Sequence, residues 1–193
     1  MDLLQDAAQA IDDGELIIYP TETVYGLGAD ALDSGAIERV FGAKDRPRTN
    51  PIAMAVPSVE VALDYVEPDD DTIEFMESFL PGPVTVICQK GPDIPSELTG
   101  GRDRVGIRIP DYDLTQRLLS MTPPLTATSA NVSGMEPIRD VDDLDETIHR
   151  AVSVIIDDGE TPGGASTVVD VDAGRIHRYG RKSTEVQAWL DNH

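Results

Sequence analysis

The 193-residue sequence predicts an α/β (α+β) fold, a twisted mixed sheet flanked by helices, in a single domain over 1–193 with a positively charged cavity. Three observations carry this expectation. Short apolar runs outnumber clean strand–helix–strand repeats, and several follow one another through loops alone, which a purely parallel sheet does not allow. The length suits one domain with a full core, and no repeat, low-complexity run or linker divides it. Ten of the fifteen basic residues fall in three short segments: Lys44, Arg46 and Arg48; Arg102, Arg104 and Arg108; Arg175, Arg178, Arg181 and Lys182. A fold that joins these segments has one cationic cavity in an otherwise acidic protein.

Each element has its own signal. Residues 2–13 place Leu3, Leu4, Ala7, Ala8 and Ile11 on one side of a helix that Gly14 stops. The apolar run 15–19 is a strand. A helix from Ser34 buries Ile37, Val40 and Phe41 and ends before the Lys44 turn. Residues 52–56 form a short buried strand, and helices follow at 58–66 and 71–80, the second stopped by Pro81-Gly82-Pro83. Strand 84–88 leads into a Gly/Pro-rich loop reaching Gly101, and strand 105–109 feeds a helix at 111–121. Strand 125–128 opens into Ser129-Ala130-Asn131-Val132-Ser133-Gly134. Asp142 caps a short helix to Arg150, and strand 152–156 follows. The loop Thr161-Pro162-Gly163-Gly164 precedes strands 167–171 and 175–179, then a helix at 184–191 that carries Trp189.

Composition narrows the classes of function. Against 36 acidic residues stand 15 basic ones, for a formal charge of −21, and only Lys44, Lys90 and Lys182 are lysine. A dense carboxylate surface spread along the whole chain fits a high-salt cytoplasm, where molar salt screens self-repulsion within about 3 Å. The sequence therefore reads as halophilic. No apolar run is long enough to span a bilayer, and the first residues lack a signal peptide's basic and apolar regions. The single cysteine, Cys88, sits in an apolar run as a small hydrophobe, and a lone cysteine suits a reducing cytoplasm. His149, His177 and His193 are too scattered for a metal centre, and no Walker loop or nucleophile elbow is present.

Polar clusters at strand mouths remain. Tyr19-Pro20-Thr21-Glu22-Thr23-Val24-Tyr25-Gly26-Leu27-Gly28 puts hydroxyls and glycines at the end of a strand, and Lys44-Asp45-Arg46-Pro47 is a cationic turn one helix later. Such a layout suits a small polar substrate beside a phosphate, since glycine admits close backbone approach and arginine grips phosphate bidentately. Turn capping accounts for Thr21 and Thr23, and the helix dipole for Lys44, but neither accounts for Arg46.

These segments resemble the YrdC-like threonylcarbamoyl-AMP synthases. The likeness also runs through Arg48-Thr49-Asn50-Pro51, Pro81-Gly82-Pro83-Val84-Thr85, Val105-Gly106-Ile107-Arg108-Ile109-Pro110, Ser129 to Gly134, and Ser166-Thr167-Val168-Val169-Asp170, in that order. The resemblance implies an ATP-dependent enzyme that condenses L-threonine with bicarbonate and ATP, giving threonylcarbamoyl-AMP and pyrophosphate. The product serves threonylcarbamoyladenosine formation at tRNA position 37, through a tRNA threonylcarbamoyl-transferase complex. Positioning and phosphate neutralisation, with no protein nucleophile, would then supply the catalysis.

The resemblance implies roles for particular residues. Thr23 and Ser166 would contact threonine and Arg108 its carboxylate. Lys44 and Arg46 would bind ATP phosphates, with Asn50 close by. Ala127, Ser129, Asn131 and Arg178 would serve the nucleotide, and Mg²⁺ would arrive with ATP. Three positions depart from longer relatives: Ala55 replaces a histidine, Arg104 replaces a threonine, and Met135-Glu136-Pro137-Ile138 lacks a serine. Those relatives also continue into a second C-terminal domain, which this sequence is expected to lack. A non-catalytic RNA- or nucleotide-binding module of the same fold is the alternative. The charge of −21 opposes it, because RNA affinity rests on neutralising phosphates, so direct RNA binding is expected to be weak or absent.

Overall fold

A computed structural model of the chain describes residues 3–193. Helix α1 (Leu3–Asp12) buries Leu4, Ala7, Ala10 and Ile11; the expected start at Asp2 lies outside the described residues. Strand β1 (Leu16–Tyr19) is buried along its whole length. Leu16 and Ile18 enter one hydrophobic cluster and Ile17 and Tyr19 another, on opposite faces of the sheet. Core on both faces explains why this strand reads as a continuous apolar run.

Strand β2 (Gly26–Gly28) returns antiparallel to β1, with Tyr19 opposite Gly26 and Ile17 opposite Gly28. Sequence reading takes these glycines as positions where backbone can approach a ligand closely. In the structure their bare Cα positions accommodate the Tyr19 ring: a Cβ on Gly26 would stand 2.7 Å from the ring's Cζ, and one on Gly28 3.0 Å from its Cδ1. The Tyr19 hydroxyl donates to Thr126 O at 3.0 Å, across β2. Tyr19 is thus a buried spacer between strands, and its burial raises the phenol's pKa.

Helix α2 (Ser34–Lys44) starts on an Asp33 side-chain cap and ends at Asp45 in the left-handed region. Strand β3 (Ala53–Ala55) is followed by α3 (Val59–Ala62), capped by Ser58, and α4 (Asp70–Phe79), capped by Asp69. Helix α3 is one turn long, shorter than its expected span. A cis Leu80–Pro81 bond precedes β4 (Val84–Gln89). The expected loop to Gly101 contains a further one-turn helix, α5 (Ser96–Thr99). Then come β5 (Arg104–Arg108), α6 (Asp113–Leu119), β6 (Leu125–Ser129), a 3-10 turn at Val141–Asp143 and α7 (Glu146–Ala151). Strands β7 (Val152–Ile155), β8 (Thr167–Asp170) and β9 (Arg175–Arg178) and helix α8 (Ser183–Leu190) complete the described elements.

Among the described residues, nine strands make one sheet in the order β7-β1-β2-β6-β3-β5-β4-β8-β9. Pairs β1–β7, β3–β5 and β4–β8 are parallel, and the other five are antiparallel, so the sheet is mixed as expected. On the central strands, Met54, Val84, Val86, Cys88, Val105 and Ile107 face the larger core. The alternate residues, Ala53, Thr85, Ile87, Arg104, Gly106 and Arg108, face a cavity. One face of the middle of the sheet is therefore core, and the other is left open. No helix among the described residues is long and apolar enough to cross a membrane.

Replacing Gly26 by Ala forces a methyl into the Tyr19 ring, an overpacking that costs about 1–3 kcal/mol. Thermal unfolding of the G26A variant should show the lowered midpoint.

Candidate active site

The open face carries a cavity of about 770 Å³. Its floor is made by small residues, Ala53, Gly106 and Ala127, on three neighbouring strands. Gly106 has no room for a side chain, since a Cβ would meet Thr85 Cγ2 at 2.9 Å. Six arginines line the walls: Arg46, Arg102, Arg104, Arg108, Arg139 and Arg178. The acidic residues in the lining are Glu136 and Asp170.

These arginines divide by their partners. Arg108 Nη2 donates to Glu22 Oε1 at 2.7 Å, with side chains only 8% and 12% exposed, and Nη1 donates to Gly82 O. Arg104 bridges Asp170 at 3.0 Å and Asp172 at 2.7 Å. Arg139 pairs with Glu160 at 3.0 Å. Arg46 and Arg178 have no carboxylate among the described residues. Arg46 donates to Asn50 O at 3.1 Å and Pro51 O at 2.9 Å; Arg178 donates to Ser166 O at 2.9 Å and Ser166 Oγ at 2.7 Å. Burial lowers both guanidinium pKa values, and neighbouring cations push the same way: Arg178 acts on Arg46, and Arg108 on Arg178. Two poorly compensated cations so placed favour an anion between them.

The loop from Pro20 to Val24 is tied on all sides. Thr115 Oγ1 donates to Pro20 O at 2.5 Å, and Thr21 Oγ1 donates to Val24 O at 2.7 Å. Arg181 Nη1 donates to Glu22 O at 2.5 Å, and Gly163 N donates to Thr23 O at 2.6 Å. The Thr21 and Thr23 hydroxyls lie 2.9 Å apart, and both residues line the cavity. Gly163 and Gly164 have φ of 86° and 89°, the left-handed region that glycine adopts without strain, and Gly164 to Ser166 then line the cavity.

Of the residues expected at the site, Thr23, Arg46, Arg108, Ala127, Ser129, Ser166 and Arg178 line this cavity. Lys44, Asn50 and Asn131 are not part of its lining, and Asn50 is exposed. Lys44 is 1% exposed; its ammonium donates to Ser129 O and, at 2.6 Å, to Asn131 O. Burial, helped by nearby Arg46, pulls its pKa down to about 8. Asn50 offers its carbonyl to Arg46. Asn131 Oδ1 accepts from Ser129 Oγ, and its amide donates to Val132 O at 2.9 Å and Met135 O at 2.8 Å. Lys44 and Asn131 together fix the loop after β6. Ala55 lies in β3 on the same face as Ala53, but it is fully buried in the second hydrophobic cluster and does not line the cavity. Cys88 is buried, which pushes its thiol up to about 12 and leaves it inert as expected.

Sequence reading gives no role to Glu22, Arg139, Thr85 or Gly106. The alternation Arg104-Val105-Gly106-Ile107-Arg108 did hold a signal: period two puts both arginines and the glycine on one face.

The Sua5–YciO–YrdC family model, described as "Telomere recombination", matches residues 9–180. The chain belongs to the Sua5–YciO–YrdC family. Threonylcarbamoyl-AMP synthase of Pyrococcus abyssi is 38% identical over 168 residues, covering 86% of this chain and 49% of the relative. The Yersinia enterocolitica threonylcarbamoyl-AMP synthase is 37% identical over 145 residues, covering 73% of this chain and 76% of that protein. A crystal structure of P. abyssi Sua5 complexed with L-threonine superposes with a TM-score of 0.83 at 38% identity, over 86% of this chain and 50% of the other. Escherichia coli YciO superposes at 0.85 with 26% identity, over 93% and 89%. The chain thus spans about half of the P. abyssi protein and most of the shorter family members. The expected mixed sheet flanked by helices is the architecture of this family.

A Lys44→Met variant leaves the Asn131 carbonyl without its ammonium donor, at about 1–3 kcal/mol if no water replaces it, while the Ser129 carbonyl keeps the Asn131 N–H. Guanidinium chloride titration should show that loss. The folded chain releases the Lys44 proton near pH 8, whereas a solvated lysine keeps its own up to 10.5. Between those values the unfolded state binds more protons, so this group's contribution to stability rises with pH. The stability gap between wild type and K44M should therefore widen from pH 7 to 10.

Proposed function

We propose that this chain is an L-threonylcarbamoyladenylate synthase, a nucleotidyltransferase acting on L-threonine, bicarbonate and ATP. The observation that carries the reading is the cavity itself: in a protein of net charge −21, Arg46 and Arg178 face it without a carboxylate partner among the described residues, beside Thr23, Arg108 and Ser166. The names of the family members and the threonine complex of the P. abyssi relative support the substrate assignment.

In the proposed reaction the amine of threonine attacks the carbon of bicarbonate, and water leaves to give a carbamate. A carbamate oxygen then attacks the α-phosphorus of ATP, and the bond to the β-phosphate breaks to release pyrophosphate. Arg108 binds the threonine carboxylate, with Thr23 and Ser166 contributing hydroxyls. Arg46 and Arg178 neutralise phosphate charge as it shifts to the leaving group. Ala127 and Ser129 border the nucleotide. Lys44 and Asn131 act one layer back, holding the Ser129 loop, and Asn50 orients Arg46. Mg²⁺ would enter with ATP, bound mostly by phosphates and water; of the two acidic residues in the lining, Asp170 is already engaged by Arg104. We further place the protein in a cytoplasm of high salt, handing its product to a tRNA threonylcarbamoyl-transferase complex, with residues 1–193 folding as one domain.

The deciding assay is mass spectrometry of products formed with ATP, Mg²⁺, bicarbonate and a panel of amino acids in molar KCl. A threonine- and bicarbonate-dependent adenylate with matching pyrophosphate is expected. Folded protein that forms no adenylate would overturn the reading in favour of a binding module. Arg46→Ala should keep its circular dichroism spectrum while turnover falls by about 10²-fold or more.

A further inference from the structure

The arginines that line the cavity differ in charge compensation. Arg46 and Arg178 are held by carbonyls and a hydroxyl alone, so their positive charge is presented to any ligand in full. Arg108 lines the same cavity but is neutralised within the protein by Glu22, at 2.7 Å, in a pair almost removed from solvent. Glu22 is fixed from both sides. Its carboxylate meets Arg108, and its backbone carbonyl accepts from Arg181. The second carboxylate oxygen, Oε2, is buried without a hydrogen-bond partner, a costly arrangement unless the charge itself has a use.

A guanidinium has five N–H donors. Contacts to Gly82 O, Ile109 O and Glu22 Oε1 occupy three of those on Arg108 at most, so at least two remain for a ligand. The Arg108 end therefore offers hydrogen bonds with almost no net charge. A free amino acid, itself a zwitterion of zero net charge, loses little there. A polyphosphate needs net positive charge to offset its desolvation, and the Glu22 carboxylate repels it. Arg46 and Arg178 have the opposite balance, and Arg178 adjoins the Arg108 region through Ser166.

We propose that Glu22 is a specificity-determining residue, a built-in counter-ion that reserves the Arg108 end of the cavity for the amino acid and excludes polyphosphate from it. The inference rests on the synthase reading given above. Glu22 acts through Arg108 and through its own field; it is a positioning residue and takes no part in bond making. Without it, the multiple negative charges of ATP or pyrophosphate would be drawn to every arginine in the cavity, and the nucleotide would block its co-substrate.

The test is calorimetric titration of the full chain with L-threonine and with inorganic pyrophosphate, singly and in competition, on wild type and Glu22→Gln. Glutamine keeps an oxygen for Arg108 Nη2 and removes only the charge. In wild type, pyrophosphate should leave threonine affinity unchanged. In E22Q, threonine alone should bind within about threefold of wild type, while pyrophosphate at the same concentration weakens its apparent affinity about tenfold. A merely structural role for Glu22 would weaken both ligands together and leave the competition pattern as it was; that result overturns the proposal. If E22Q does not fold, wild type decides alone, because pyrophosphate competing directly with threonine there overturns the proposal equally, and its failure to compete upholds the exclusion. Wild-type protein that binds pyrophosphate but no threonine would instead overturn the synthase reading, and the inference with it.

Discussion

Guanidinium groups gathered on one face of a sheet repel one another, and most of the cavity's architecture answers that repulsion. Arginine cannot shed its proton at any ordinary pH, so the charges must be compensated by geometry. The fold uses two kinds of partner. Carboxylates from distant segments hold Arg104, Arg108 and Arg139, whereas backbone carbonyls hold Lys44, Arg46 and, with a serine hydroxyl, Arg178. The first kind cancels charge, and the second only orients it. A ligand's negative charge is the missing complement of the second group, so the unliganded protein is poised electrostatically for an anion.

The same constraint explains the loops. Carbonyls that orient a cation must themselves be held still, and each belongs to a segment pinned from elsewhere. Asn50 and Pro51 lie just before β3, Ser129 and Asn131 flank the end of β6, and Gly82 donates its N–H to Ile109 O ahead of β4. The Pro20–Val24 loop is fastened by groups from α6, from the Gly163 turn and from Arg181. Strain and packing serve this end too. Gly26 and Gly28 give way to the Tyr19 ring, which locks β1, β2 and β6 together beneath the cavity rim.

An acidic exterior and an arginine-lined cavity respond differently to salt. Surface carboxylates are screened over a few ångströms, while groups recessed on the sheet face, away from bulk ions, are screened far less. The relatives share the family's sheet, although the P. abyssi protein is about twice as long as the matched region. In this chain the segment from Gly163 to Ser166 already borders the cavity, fastened to Thr23 by Gly163 and to Arg181 by Ala165.

Periodicity and punctuation in the sequence determined most elements: α1 from its apolar stripe, α4 from its Pro81 stop, β4 and β5 from apolar runs, and the mixed sheet from loop-joined strands. Clustered basic residues and ordered motifs pointed to Arg46, Arg108, Ser129, Ser166 and Arg178 before any coordinates. Tertiary structure alone decided which of these face the ligand. Lys44 and Arg46 sit in one turn, yet one is buried against two carbonyls and the other opens to the cavity. Gly26-Leu27-Gly28 has the composition of a loop but pairs as a strand, because the ring filling its missing side chains comes from another strand. Glu22 acquires its meaning only from Arg108, 86 residues away. Local sequence carries propensity and period, which are properties of neighbours. Charge compensation depends on distance in space, and only the folded sheet sets that distance.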